Sequence, residues 1–255
     1  MMNALQKNYI KLYKQTSVPI FVKDNFDTKT LLEGCRLAGV DVIEYTLRRE
    51  DADRVIPTLK RDYPEFALFV GSTIDCDMIV DQMKAKAPQL MRIDELAPFV
   101  DGFVSMLPYS DETIKRYKET HLIIPTAETS GEALRQMRAG ATFIKVCGPD
   151  FSFSKSLHAA PTFNYCPTFI TGGVNPDRME EAFSCGNVLA AAGFDLILKG
   201  EDPLALTAER VAERLSVFIN TAKAARAKVN PVISDIDSLD SDAFFDALPN
   251  YCSVR

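Results

Sequence analysis

The sequence predicts an α/β fold of the (β/α)8 TIM-barrel class, with an N-terminal helix and an acidic C-terminal extension. Three observations carry that expectation. Short runs rich in Val, Ile and Phe alternate with helix-like segments, the pattern of a parallel sheet covered by helices. The alternation can be counted eight times along the chain. A length of 255 residues with 47% apolar and 25% charged side chains suits a single domain of barrel size. An open doubly wound sheet is the alternative topology for the same alternation.

In chain order, residues 3–15 read either as an amphipathic helix plugging the lower end of the barrel or as an unstructured tail. Strands are expected at 19–23, 41–46, 67–71, 102–105, 122–125, 142–146, 168–171 and 188–192. Helices are expected at 28–38, 51–62, 75–86, 111–119, 130–139, 154–159, 175–184 and 203–225. Most of them open on Ser, Thr, Asp or Asn, whose side chains accept from the free N–H groups of the first turn. Gly39, Gly140 and Gly186 follow three of them, where the departing chain needs positive φ. Residues 1–228 are thus read as one barrel domain and 229–255 as an extension. There Asp235, Asp237, Asp240, Asp242 and Asp246 face a single basic residue, Arg255. Phe244, Phe245, Leu248 and Tyr251 predict that the extension docks on the barrel or on a neighbouring subunit.

Composition narrows the function. With net charge −6, pI near 5.1 and scattered Lys and Arg, no nucleic-acid partner is expected. The longest apolar run, 188–194, has seven residues against the roughly 20 of a membrane-spanning helix, so no membrane partner is expected either. Residues 1–17 carry Lys7, Lys11 and Lys14 among apolar positions and predict no secretory signal. Six cysteines without a CxxC pair and two histidines, His121 and His158, predict neither a metal site nor a disulfide framework. Reduced thiols in a cytoplasm fit this usage. No metal and no cofactor is expected, which leaves the chemistry to Lys, Arg and carboxylates.

Reactive groups of a (β/α)8 barrel sit at the C-terminal ends of the strands. In Val42-Ile43-Glu44-Tyr45-Thr46-Leu47-Arg48, alternation puts Glu44 and, if extension persists, Arg48 on one side. Lys145 stands alone in the apolar run 141–147. Burial there would lower its pKa and leave a nucleophilic amine for Schiff-base chemistry; the other reading is a lysine that reaches solvent or an acidic neighbour. Lys23 has a similar claim at the first strand. Thr171-Gly172-Gly173 forms a strand-to-helix turn whose N–H groups can approach an anion, at the position where barrels bind phosphate, although such a pair is also an ordinary turn. Thr73 and Glu128 are further strand-end candidates. Ser105 is another such candidate, for which helix capping is the favoured reading; His121 is read as lying at the opposite end of its strand, and His158 as a surface residue.

Val18-Pro19-Ile20, the string 42–48, Phe143-Ile144-Lys145 and Pro167-Thr168-Phe169-Ile170-Thr171-Gly172-Gly173-Val174 occur in an order and spacing that resemble the bacterial 2-keto-3-deoxy-6-phosphogluconate / 4-hydroxy-2-oxoglutarate aldolase family. The resemblance covers residues 18–222, and its most specific pieces are E-x-T-L-R and the strand lysine followed by T-G-G. It implies a class I aldolase on a (β/α)8 barrel, cytoplasmic and usually trimeric, with no metal. Lys145 would then be the Schiff-base lysine and Glu44 the proton shuttle. Arg48, Thr73 and Thr171 would hold the keto-acid carboxylate, while Gly172, Gly173 and Gly193 would serve the distal anionic group.

The chain departs from that pattern in places. After the eighth strand the family typically has Gly-Gly-Ser, and here Ala192-Gly193-Phe194-Asp195 stands instead, which puts a phosphorylated substrate in question. Val146-Cys147-Gly148-Pro149-Asp150 replaces Phe-Pro-Ala-Glu after the lysine, and residues 86–98 are inserted or rearranged. The expected activity is cleavage of a 2-keto-3-deoxy (6-phospho)sugar acid or 4-hydroxy-2-oxoglutarate to pyruvate and an aldehyde. Two other classes remain open: a phosphate-binding barrel isomerase or synthase, and a non-catalytic sugar-acid-binding paralogue.

Overall fold

Eight short parallel strands form one sheet: β1 (Ser17–Phe21), β2 (Val42–Thr46), β3 (Ala67–Thr73), β4 (Gly102–Ser105), β5 (Leu122–Ile124), β6 (Ile144–Cys147), β7 (Thr168–Thr171) and β8 (Leu189–Gly193). The computed structural model describes residues 2–229, 239 and 241–254. Hydrogen bonding runs in the order β5-β4-β3-β2-β1-β8-β7-β6. The remaining seam is closed where Lys145 N–H donates to Pro125 O at 2.9 Å and Ala127 N–H donates to Lys145 O at 3.0 Å. The fold is therefore the (β/α)8 barrel, and the open sheet is excluded.

Helices α2 (Thr28–Leu37), α3 (Ala52–Asp62), α4 (Asp77–Lys84), α5 (Ile93–Leu96), α6 (Asp111–Tyr117), α7 (Ser130–Ala139), α8 (Ser152–Ala159), α9 (Met179–Ser184), α10 (Phe194–Ile197) and α11 (Ala208–Val229) follow their strands in turn. Helix α7 illustrates the boundary signals. Thr129 and Glu132 form a reciprocal capping box at its start, and Gly140 leaves it at φ 110°. Several boundaries shift by a few residues, and two of the shifts matter most here. Strand β1 ends at Phe21, which leaves Lys23 in the following loop. Helix α11 begins at Ala208 because Asp202 organises a turn instead, its carboxylate and carbonyl accepting from Leu204 and Ala205. The inserted stretch becomes α5 and a 3-10 turn, Ala97–Phe99.

Strand alternation separates two apolar shells. Ile43, Tyr45, Leu68 and Val70 face the outer helices, whereas Val42, Phe69, Phe143, Phe169, Leu189 and Ala191 fill the barrel interior. The lower end is sealed by α1 (Ala4–Gln15) and by α12 (Ser241–Ala247) from the C-terminal segment. Tyr9 stacks on Phe143 with centroids 5.1 Å apart, and Phe244 meets Tyr13 edge-on at 5.6 Å. Phe244, Phe245 and Leu248 are buried, whereas Tyr251 is exposed. Asp235 and Asp237, part of the predicted acidic extension, lie outside the described residues, as do Asp240 and Arg255.

Phe244→Ala is expected to lower stability by roughly 3–5 kcal/mol, read as a shift in urea midpoint. An unchanged midpoint would mean that α12 contributes nothing to the barrel. With the bottom filled, open space remains at the C-terminal mouth. The next inward position on several strands is polar or small: Glu44 after Val42, Gly71 after Phe69, Lys145 after Phe143 and Thr171 after Phe169.

Candidate active site

A cavity of about 390 Å³ opens at that mouth. Its walls include Lys145, Arg48, Thr171, Gly172 and Gly193 among the expected residues, together with Ile20, Val22, Met106, Cys147 and Asp195. Lys145 is half-buried and its Nζ donates to the Ser105 carbonyl at 2.8 Å. Burial lowers its pKa from the ordinary lysine value, opposed by the nearby Glu44 charge.

Glu44 lies below the mouth at 4% exposure. It fits there because residue 71 is glycine: a Cβ at that position would come within 2.9 Å of Glu44 Cδ and closer still to Oε1. The other carboxylate oxygen, Oε2, is buried without a hydrogen-bond partner among the described residues. Burial pushes the Glu44 carboxyl up from 4.5 to about 7, and the positive charges of Lys145 and then Arg48 limit the rise. A carboxyl and an amine, both disfavoured as ions by burial, thus lie within electrostatic reach of each other, and the carboxyl is brought to where it can exchange protons near neutrality.

The two consecutive arginines after β2 divide the labour. Arg49 is buried, with Nε 2.7 Å from the Tyr45 hydroxyl and Nη2 2.9 Å from Asp51 Oδ2. It also donates to Thr28 Oγ1 and to the Lys23 carbonyl. This locks the turn, and Arg48 stands exposed at the rim with no hydrogen bond among the described residues. Thr171 also lines the cavity, its backbone carbonyl engaged with Gly148 N–H.

Some expected residues lie elsewhere. Thr73 does not face the cavity: its hydroxyl donates to Val104 O at 3.0 Å and pairs with Tyr109. A register shift between Gly71 and Thr73 interrupts the alternation, with Ser72 at φ 63°, and so Ser72 reaches the cavity in its place. Gly173 sits behind Gly172, against Pro149 and Arg178, outside the lining. Ser105 is not a helix cap, since Ser110 caps α6; its Oγ accepts from Thr126 N–H at 2.7 Å and ties β4 to the start of the β5 loop. His158 is partly buried and bonded to Thr168 Oγ1 at 2.9 Å, not free on the surface. His121 is buried against the Ala97 carbonyl, far down its strand. Glu128 lies on the rim.

Lys23 stands outside the lining and pairs with Asp195 at 2.8 Å. Sequence reasoning missed Gly71, whose only signal is a small residue where the opposing strand carries a carboxylate. Ser72, Met106 and Thr126 were missed as well, because a bulge and loop residues fall outside strict alternation, and Cys147 was missed although alternation puts it on the face of Lys145. Among the described residues no group of three or more His, Cys, Asp or Glu side chains is placed to hold a metal ion, and no helix is long and apolar enough to cross a membrane.

No family model matches this sequence, and no curated protein matches it significantly. Solved structures do match the fold. KDPG aldolase from Legionella pneumophila, with pyruvate captured as a covalent carbinolamine, superposes with TM-score 0.62 at 17% identity, over 85% of this chain and 98% of that one. A structure described as native KDPGal gives 0.61 at 22% identity, over 82% and 95%. The 2-keto-3-deoxy-6-phosphogluconate aldolase of Zymomonas mobilis gives 0.61 at 16%, over 86% and 98%. At these identities the likeness is one of fold, and function rests on the site.

Proposed function

We propose that the protein is a class I aldolase that cleaves a 2-keto-3-deoxy (6-phospho)sugar acid or 4-hydroxy-2-oxoglutarate to pyruvate and an aldehyde. The observation that carries this reading is the burial of Lys145 and Glu44 within electrostatic reach of each other above the apolar floor of the barrel, which lowers the pKa of one and raises that of the other. The covalent capture of pyruvate by the Legionella neighbour supports it by analogy.

In this reading the neutral Lys145 amine adds to the C2 carbonyl to give a carbinolamine, whose hydroxyl takes a proton from solvent and leaves as water, and a cationic imine remains; hydrolysis at the end of the cycle gives that proton back. Glu44 takes the proton of the C4 hydroxyl. The C3–C4 bonding pair moves toward the imine, the aldehyde leaves, and an enamine remains. Glu44 returns the proton to C3, and water then releases pyruvate and the free amine. Arg48 and Thr171 are assigned to the substrate carboxylate, with Ser72 on the same wall.

The test is incubation with pyruvate and borohydride followed by mass spectrometry of the digest. A reduced pyruvate adduct on Lys145 is the expected result, and a folded protein without one defeats the proposal. A second check addresses Gly71. Gly71→Ala should displace the Glu44 carboxylate and lower kcat on the order of 10²-fold with the far-UV spectrum retained. Undiminished turnover would remove Glu44 from its role.

A further inference from the structure

The cavity wall on the β8 side carries a carboxylate where a barrel of this kind commonly seats an anion. The loops after the seventh and eighth strands are the frequent phosphate site of the architecture. Here Gly172 and Gly193 provide the open backbone, but Asp195 lies over it: a Cβ at Gly193 would collide with Asp195 Oδ1. The other oxygen, Oδ2, is held by Lys23 at 2.8 Å. Lys23 is not part of the lining, so its cation is spent on the outer side of Asp195 and the cavity meets the carboxylate. Oδ1 has no hydrogen-bond partner among the described residues and is left to accept from a ligand.

The rest of the rim reinforces this. Glu128, after β5, adds a second carboxylate to the rim, three strands round the barrel from β8. The charged residues that line the cavity are Arg48, Glu128, Lys145 and Asp195. Once Lys145 is consumed as an imine and Arg48 is matched by the keto-acid carboxylate, no lining cation is left for a further anion. Beyond Asp195, on the β1 side, the wall is Ile20, Val22, Ala192 and Leu196, which offers no donor side chain; between Lys145 and Asp195 the lining from β7 is Thr171 and Gly172, which offer a neutral hydroxyl and backbone N–H groups but no charge.

We infer that Asp195, fixed by Lys23, sets the specificity for the aldehyde half of the substrate: it accepts a distal hydroxyl and turns away a phosphate or carboxylate, so the substrate is an unphosphorylated, hydroxyl-bearing 2-keto-3-deoxy acid. This rests on the class I aldolase reading above. A neutral polyol end satisfies Oδ1, whereas a phosphate dianion there is repelled at close range in a partly desolvated site.

The experiment runs the reaction in the direction of synthesis, with pyruvate and either glyceraldehyde, glyceraldehyde 3-phosphate or glyoxylate as acceptor. Borohydride trapping of pyruvate accompanies each protein. For the native chain, kcat/KM for glyceraldehyde should exceed that for its 3-phosphate on the order of tenfold or more. Asp195→Ser should shift the ratio toward the phosphate by a similar factor, with the Lys145 adduct retained. Lys23→Met keeps the carboxylate and removes its cation, so the preference for glyceraldehyde should persist or widen.

A native enzyme that prefers glyceraldehyde 3-phosphate or glyoxylate, or uses no acceptor while still trapping pyruvate, overturns the inference alone. So does an Asp195→Ser variant that slows both glyceraldehydes equally. Absence of the adduct on the folded native chain overturns the aldolase reading, and this inference with it.

Discussion

Lys145→Met is expected to abolish the borohydride-trapped pyruvate adduct and to lower kcat on the order of 10⁴-fold or more, with the protein still folded. The size of the loss follows from the proposed role: without this amine no imine forms, and no other lysine lines the cavity among the described residues. Retention of the fold follows from the surroundings. Methionine matches the length of the stem on a strand whose preceding inward neighbour is Phe143, and the ammonium it replaces is disfavoured there by burial.

The substitution removes the hydrogen bond that Nζ donates to the Ser105 carbonyl at 2.8 Å, and the strand's backbone pairing stays in place. Lys145→Arg should be equally inactive, because a guanidinium keeps the positive charge and cannot form the imine. The two variants together separate the amine from its charge. Turnover within tenfold of the native rate in either one would refute the covalent mechanism and favour a barrel isomerase or synthase that relies on carboxylates. Ligand-induced stabilisation by a sugar acid with no turnover in the native chain would instead favour the non-catalytic paralogue.

The architecture was legible in the sequence because a parallel barrel writes its inner and outer shells into one alternation. Val42, Glu44 and Thr46 share a face by simple period two, and so do Phe143, Lys145 and Cys147; these are the strands where site residues were placed as expected. Legibility failed where that period is broken. The shift at Ser72 exchanges Ser72 for Thr73, and no composition signal marks a bulge at a Ser-Thr pair. It failed again for contacts that join distant elements. The pairing of Lys23 with Asp195 brings together the β1 and β8 loops, and nothing local to either residue announces the other. The division between Arg48 and Arg49 is of the same kind: identical side chains, adjacent in sequence, separated by whether Tyr45, Asp51 and Thr28 are within reach.

Glu44 supplies the second large effect, and its sign is unusual for a carboxylate. Its folded pKa, about 7, lies above the ordinary 4.5, so between those values the folded state binds more protons than the unfolded state. The stability it contributes is fully present below pH 4.5 and is lost as pH rises through 7. The loss amounts to about 3 kcal/mol for a shift of this size. Glu44→Gln, which cannot ionise, should therefore unfold at a higher urea midpoint than the native chain at pH 8, and the gain should shrink toward pH 4.5.

Activity runs the other way. In the proposed mechanism the proton acceptor is the ionised carboxylate, so kcat/KM for cleavage should rise with pH along an acid limb near 7 that reports the Glu44–Lys145 pair. Glu44→Gln should lose that limb and about 10² to 10⁴ in kcat, while pyruvate still forms a trappable adduct on Lys145. Removing Lys145 by the methionine substitution takes away the larger of the two charges that hold Glu44 down, so its titration should move above 7 in that variant. An acid limb below pH 5, or one that survives Glu44→Gln, would assign the proton transfer to another group. The same burial that makes Glu44 destabilising at alkaline pH is what brings its pKa to where a shuttle must work, so the gain in stability and the loss of turnover should appear together in one variant.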